Sequence, residues 1–144
     1  MQINYNKSRL LLFRSLAGLG LRATILSDSV SNFTFGTSYM YEYENLDNSK
    51  SFFQLSKTYH HRWSNYISYS NSISKNTRLS IVIYAQPRFD NFSDLRMLSE
   101  NHFSVGLTNR LSFSLNFSLM YYSHPPIGVK ELDTNSKVGL SIKI

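Results

Sequence analysis

The sequence predicts an all-β chain: an antiparallel, up-and-down transmembrane β-barrel of about eight strands, complete or incomplete, in one domain over residues 1–144. Three observations predict it: a period of two from end to end, strands too long for an ordinary soluble sheet, and charges confined to one of the two faces. In "LSFSLNFSLMYYSHPP", Leu111, Phe113, Leu115, Phe117, Leu119 and Tyr121 fall on one parity, and Ser112, Ser114, Asn116 and Ser118 on the other. Such alternation is an extended strand with two unlike faces. The question it raises is which face meets water.

Taken in chain order, "QINYN" is a short stub of strand. The first long strand carries Leu11, Phe13, Ala17, Leu19, Leu21 and Ile25, with Arg14, Gly18, Gly20 and Arg22 behind. Lys7 and Arg9 ahead of "LLLFRSLAGLGL" imitate a signal peptide, but Arg14 breaks the apolar run and no small-x-small site follows. The second long strand carries Phe33, Phe35, Tyr39, Tyr41 and Tyr43 against Thr34, Gly36, Ser38, Glu42 and Glu44. The third carries Trp63, Ile67, Tyr69 and Ile73 against Arg62, Ser64, Ser68 and Ser70. The fourth sets Leu79, Ile81, Ile83 and Ala85 against Arg78, Ser80, Tyr84 and Gln86. The fifth sets Leu95, Met97, Phe103, Val105 and Leu107 against Arg96, Glu100, His102 and Ser104. The sixth is the 111–126 stretch, and Val138, Leu140, Ile142 and Ile144 close the chain against Lys137, Gly139, Ser141 and Lys143.

Most of these runs span ten or so residues, whereas soluble strands cluster near five or six and a bilayer-crossing strand needs about 9–11. Short turns at 26–29, 74–77 and 109–110 alternate with longer links at 45–56, 88–94 and 124–133, the pattern of outer-membrane barrels. Charged residues are 17% of the chain, yet none stands on the apolar parity of the strands named above. The polar parity mixes Arg and Glu with Gly, Ser, Leu16, Met40, Val82 and Tyr84, as the interior of a narrow barrel filled by its own side chains would. Tyr39, Tyr41, Tyr43, Tyr59, Trp63 and Tyr121 fit interfacial girdles. Asn65, Asn71, Ser99 and Asn101 break the apolar face, and a β-bulge shifting the parity there is one reading.

Several function classes recede on composition. The chain has no cysteine, which removes disulfides and thiolate metal sites. Its net charge of +6 suits lipopolysaccharide or a phospholipid surface, but no Lys/Arg block supports a nucleic-acid partner. "YHHRWSN" places His60 and Ser64 on the inward parity, with Glu42 or Glu100 as a third member of a hydrolase set. Four residues of extended strand hold His60 and Ser64 roughly 13 Å apart, so they are not direct partners. His60, His61, His102 and His124 show no metal-ligand spacing. No residue is therefore assigned a catalytic, cofactor-binding or metal-ligating role, and the inward Arg and Glu residues are expected to form an internal salt-bridge network.

The segments "GLGLR", "MYEYE", "RWSNYISYS", "IYAQP", "DLRMLSE" and "PPIGVKELDT" together resemble the YdiY-type family of salt-induced outer-membrane proteins, a domain of unknown function numbered 481. The resemblance covers nearly the whole chain and is most specific at 125–134 and the closing strand. It implies a non-enzymatic component of the bacterial outer membrane, in contact with membrane lipid and lipopolysaccharide and with the barrel-assembly machinery. Family members carry a signal peptide and further strands upstream, so an N-terminally truncated chain is expected. The alternatives kept open are a soluble lipid-binding barrel or sandwich and a barrel-embedded lipid hydrolase.

The turns near Asp28, Asn76 and Asn109 should share one rim. Phe113, Leu115, Phe117, Ile81 and Ile83 should point away from the axis, and Arg14, Arg96 and Glu100 toward it. Either "QINYN" closes the barrel against "VGLSIKI" or the sheet is incomplete; the second is preferred, because about five residues cannot cross a membrane.

Overall fold

The structure, a computed structural model, describes residues 2–6, 11–46 and 57–142. They form one eight-stranded sheet in the order β1 (Gln2–Asn6), β2 (Leu11–Ser27), β3 (Ser31–Leu46), β4 (Lys57–Ser74), β5 (Thr77–Pro87), β6 (Leu95–Gly106), β7 (Leu111–Tyr122) and β8 (Leu132–Ile142). Every neighbour is antiparallel and consecutive, so the topology is a plain up-and-down meander. No helix occurs among the described residues.

The short connections close by their own polar groups. Asp28 Oδ1 accepts from the backbone N–H of Val30 and Ser31 at 2.7 and 2.6 Å. Lys75 and Asn76 alone join β4 to β5. Thr108 Oγ1 accepts from Arg110 N and Leu111 N before β7 begins. The meander puts these three turns on one rim, as expected, and the 88–94 and 123–131 links on the other. The expected 45–56 link lies only partly among the described residues. Asn45 and Leu46 continue β3, and the rest of it lies outside the described residues. Within the last link, Val129 N donates to Pro126 O at 3.0 Å and Gly128 has φ +87°. That is a turn with its third residue in left-handed space, which explains why "PPIGV" carries glycine there.

The sheet is curled with the polar parity inside. Arg14 from β2, Arg62 from β4 and Arg96 from β6 all reach Glu42 on β3. In a flat sheet β3 and β6 would stand about 14 Å apart, three spacings of about 4.8 Å, too far for side chains rising perpendicular to it. Among the described residues the buried side chains are Thr34, Glu42, Glu44, Arg62, Ser64 and Asp94, with Met40 the single apolar one. The apolar parity is outside: Leu19 is 87% exposed and Leu140 68%, with Leu21, Ile25, Val138 and Ile142 similarly bare.

Two glycine positions show how tightly the inner surface packs. A Cβ on Gly36 would fall 2.1 Å from Tyr66 Cε1, because the Tyr66 ring lies over that glycine and 5.4 Å from the ring of Tyr84. A Cβ on Gly20 would fall 2.3 Å from Ser38 Cβ. Gly36→Ala is therefore expected to cost about 1–3 kcal/mol by overpacking. Urea titration of Gly36→Ala and of Gly36→Ala/Tyr66→Leu checks this, since the smaller side chain should restore most of the loss.

Closure does not occur among the described residues. β1 pairs with β2 only from Gln2↔Leu16 to Asn6↔Leu11, and no pairing joins β1 to β8. β1 with the uncovered Ala17–Ser27 of β2 on one side, and Leu132–Ile142 of β8 on the other, are thus the edges of an open sheet, the preferred alternative above. One expectation needs correction. The register runs without a shift through Asn65, Ser99 and Asn101, so no bulge removes them from the outer face. Their polar groups pair locally instead. Thr37 Oγ1 donates to Asn65 Oδ1 at 2.8 Å and accepts from Trp63 Nε1 at 2.7 Å. Asn101 Nδ2 donates to Ser99 Oγ at 3.0 Å, and Asn71 Nδ2 to Ser31 Oγ at 2.6 Å.

Candidate functional site: a buried ion network on the concave face

Alternation along β2, β3, β4 and β6 sends Arg14, Glu42, Glu44, Arg62 and Arg96 to the same inner surface, and the curl brings them together. Glu42 is at the centre. Its Oε2 accepts from Arg62 Nε at 2.7 Å, and its Oε1 faces both Arg14 Nε at 2.5 Å and Arg96 Nη1. The Arg14 contact is an ion pair with poor hydrogen-bond alignment, which leaves that N–H without a directed acceptor. Glu44 Oε2 accepts from Arg96 Nη2 at 3.0 Å, and Tyr122 supplies its hydroxyl to Arg96 Nη2 at 2.8 Å. The Arg96 guanidinium also stacks 4.1 Å above the Tyr122 ring.

The link after β5 completes the network. Arg62 Nη2 donates to Asp94 Oδ1 at 3.0 Å, and Arg62 Nη1 to the carbonyls of Gln86 and Asp94 at 3.0 and 3.3 Å. Arg88 Nη1 donates to Asp94 Oδ2 at 3.0 Å, and Arg88 holds Asp90 through both carboxylate oxygens. Four guanidiniums therefore face four carboxylates: Arg14, Arg62, Arg88 and Arg96 against Glu42, Glu44, Asp90 and Asp94. Glu42 and Arg62 are 0% exposed, which is tolerable only because each charge is matched and hydrogen-bonded.

Both Glu42 oxygens are taken by arginines, so the group is not free to act as a base. Ser64 Oγ accepts from Gln86 Nε2 at 3.1 Å, and His60 stands opposite Glu42 in the register, four residues from Ser64. Glu100 lies on β6 beside Val82 and Ser118, outside the network. His60, Ser64, Glu42 and Glu100 thus do not come together as a Ser-His-acid set. The histidines have separate neighbours: His61 Nδ1 meets the Tyr39 hydroxyl, His102 Nδ1 lies 2.7 Å from Asn116 Oδ1, and His124 Nδ1 lies 3.0 Å from Ser123 Oγ. No group of three metal-ligating side chains occurs among the described residues.

Sequence reasoning found the inward Arg and Glu residues and placed Gln86 on the same parity, but missed Asp90, Asp94 and Tyr122. Asp94 lies in a link, where alternation says nothing about direction. The signal that could have found it is the alternation of sign in "RFDNFSDLR", Arg88 to Arg96.

At the edge of the network, the two hydrogen bonds from Arg88 hold the Asp90 carboxyl down at about 2, against an ordinary 3.8. A carboxylate with a depressed folded-state pKa stabilises above its unfolded value and loses that contribution as pH falls through the folded one. The Arg88–Asp90 clamp should thus be intact above pH 3.8 and released toward pH 2. Titration of the Asp90 carboxyl by NMR checks this, and a midpoint near 3.8 would mean no clamp.

The whole chain, residues 1–144, matches the model of a family described as "Protein of unknown function, DUF481". No curated protein and no solved structure matches the chain.

Proposed function

The chain belongs to the DUF481 family, and on that footing we propose that it is a non-enzymatic component of the bacterial outer membrane that forms the wall of a transmembrane β-barrel. The observation that carries this reading is the inversion of the sheet, with a charged network buried in its concave face and apolar side chains bare on its convex face. In water such a continuous apolar surface would drive association; in lipid it is the favourable face.

Three further features support it. β2 to β8 run for 11–18 residues, enough to cross a bilayer. Arg96 is level across the strands with Gln86, Ser64 and Ser38, yet it meets Glu42, four residues farther along β3. Arg96 also meets Glu44, six residues along, so contacts across the concave face are displaced along the strands, as tilted strands would place them. Membrane barrel strands tilt by about 35–45°. Finally, the rings of Phe13, Tyr43, Tyr59, Tyr41, His61, Tyr39 and Phe89 follow one another at 5.0–6.3 Å across β2 to β4, as an interfacial girdle would.

The ion network lies on the concave face toward the long-link rim, so the proposed barrel is read as plugged, with lipid and lipopolysaccharide as its surroundings and the barrel-assembly machinery as its insertion partner. The test is fractionation. The protein should resist carbonate washing, require detergent for extraction, and migrate differently on gels before and after boiling. Release into the soluble fraction without detergent would overturn the proposal, and stepwise single-channel currents would overturn the plug.

A further inference from the structure

β5 ends at Pro87, while β4 continues past it to Lys57, and this mismatch leaves a notch beside β4. Beyond the bridge Arg62↔Arg88, the link folds back so that Phe89 N donates to His61 O at 3.0 Å. Tyr39, Tyr59, His60, His61, Phe89 and Asp90 line the resulting cavity of about 420 Å³. That volume lies within the roughly 300–1,000 Å³ of small-ligand sites. Aromatic rings make most of its surface: Tyr39 lies 5.9 Å from Phe89 and 5.7 Å from His61, centroid to centroid. The Tyr39 hydroxyl is tied to His61 Nδ1, which fixes both rings.

The charge state narrows the ligand. Among the described residues Asp90 is the one carboxylate on the cavity wall, and Arg88 pins it through both oxygens. An organic cation would need that charge unneutralised. An anion would need an arginine free of its carboxylates, and Arg88 is shared between Asp90 and Asp94. A carboxylate has about four lone-pair sites, of which Arg88 uses two, so Asp90 keeps oriented acceptors for hydroxyl groups. Aromatic faces with oriented hydrogen-bond acceptors suit one class of molecule, a ring with an apolar C–H face and a rim of hydroxyls.

We propose that this notch binds a neutral saccharide ring, stacked on Tyr39, Tyr59 or Phe89 with its hydroxyls donating to Asp90. The ring is either a free oligosaccharide or the sugar headgroup of a glycolipid, since the recognising chemistry is the same. The assignment stands on the geometry of the notch and does not require the membrane reading.

Saturation-transfer NMR on the full chain in a polyoxyethylene detergent, which carries neither sugar nor charge, tests it. The probes are maltose, vesicles containing a glucosyl diacylglycerol, and tetramethylammonium. Maltose, the glycolipid vesicles, or both should show saturable binding, and Phe89→Ala and Asp90→Asn should each weaken it about tenfold or more. Both residues are exposed in the link, so the variants should fold, which far-UV circular dichroism verifies. Trp63→Phe, on the same face but outside the cavity, should leave binding unchanged. Maltose binding identifies a free saccharide as a sufficient ligand, and binding to the vesicles alone identifies the lipid-linked source. Silence of both sugar probes, saturable binding of tetramethylammonium in their place, or sugar binding unaffected by both link variants would overturn the proposal.

Discussion

Glu42→Leu is expected to destabilise the protein by about 3–5 kcal/mol, the cost of leaving a buried charge without its partner. Three guanidiniums meet this one carboxylate, and Arg62, 0% exposed, would keep only Asp94 and two carbonyls. Arg14 and Arg96 would retain Glu44 and should contribute less to the loss. Glu42→Gln should fall between, because the amide oxygen still accepts while the charge is gone. Adding Arg62→Leu to Glu42→Leu should recover part of the stability, since the orphaned charge is then removed. Urea unfolding followed by the fluorescence of Trp63, the single tryptophan, measures all three. A loss under about 1 kcal/mol for Glu42→Leu would mean that the network behaves like a solvent-screened surface cluster.

The second large effect is directional. Leu115→Arg puts a guanidinium on the convex face, opposite Phe103 and Val138, and should cost about 2–4 kcal/mol if lipid covers that face near the midplane. Ile81→Arg on β5 should behave alike. Ser118→Arg, on the concave face and opposite Glu100, gains an ion-pair partner and should be near neutral. The three together separate lipid from water outside the sheet, because in water the convex substitutions would be almost free of penalty. Folded yield in lipid vesicles, read as the heat-modifiable band, gives the comparison.

The contrast between these variants rests on what was legible in the sequence. Period two fixed the face of nearly every strand residue, since the chain mixes few charges with many aromatic and aliphatic residues and leaves no ambiguity at Leu19, Phe113 or Arg96. The three short turns were readable because Asp28, Asn76 and Asn109 are of residue types that suit tight reversals, although the side chain that closes the third is Thr108. The up-and-down order followed from alternating connection lengths.

What was not legible is non-local or lies off the strands. Alternation says that Arg14, Glu42, Arg62 and Arg96 share a face, but not that Arg96 crosses three strands to reach Glu42. That depends on curl and tilt, which no local pattern encodes. Asp94 and Phe89 sit in a link that folds back onto β4, so both the partner of Arg62 and the wall of the notch were invisible. Asn65 and Asn101 looked like errors in the apolar face because their partners, Thr37 and Ser99, are apparent only once the side chains are placed. The five-residue β1, by contrast, was readable as too short to close the sheet.

The proposed arrangement sets lipid against the convex face and not the concave one. It is tested most directly by placing one tryptophan on each face in a Trp63→Phe background, as Leu115→Trp and as Ser118→Trp, and reconstituting both in vesicles with brominated acyl chains. The bromines should strongly quench the fluorophore at position 115 and leave that at 118 nearly unaffected. Equal emission from both in brominated and ordinary lipid, with aqueous iodide quenching position 115, would contradict the account.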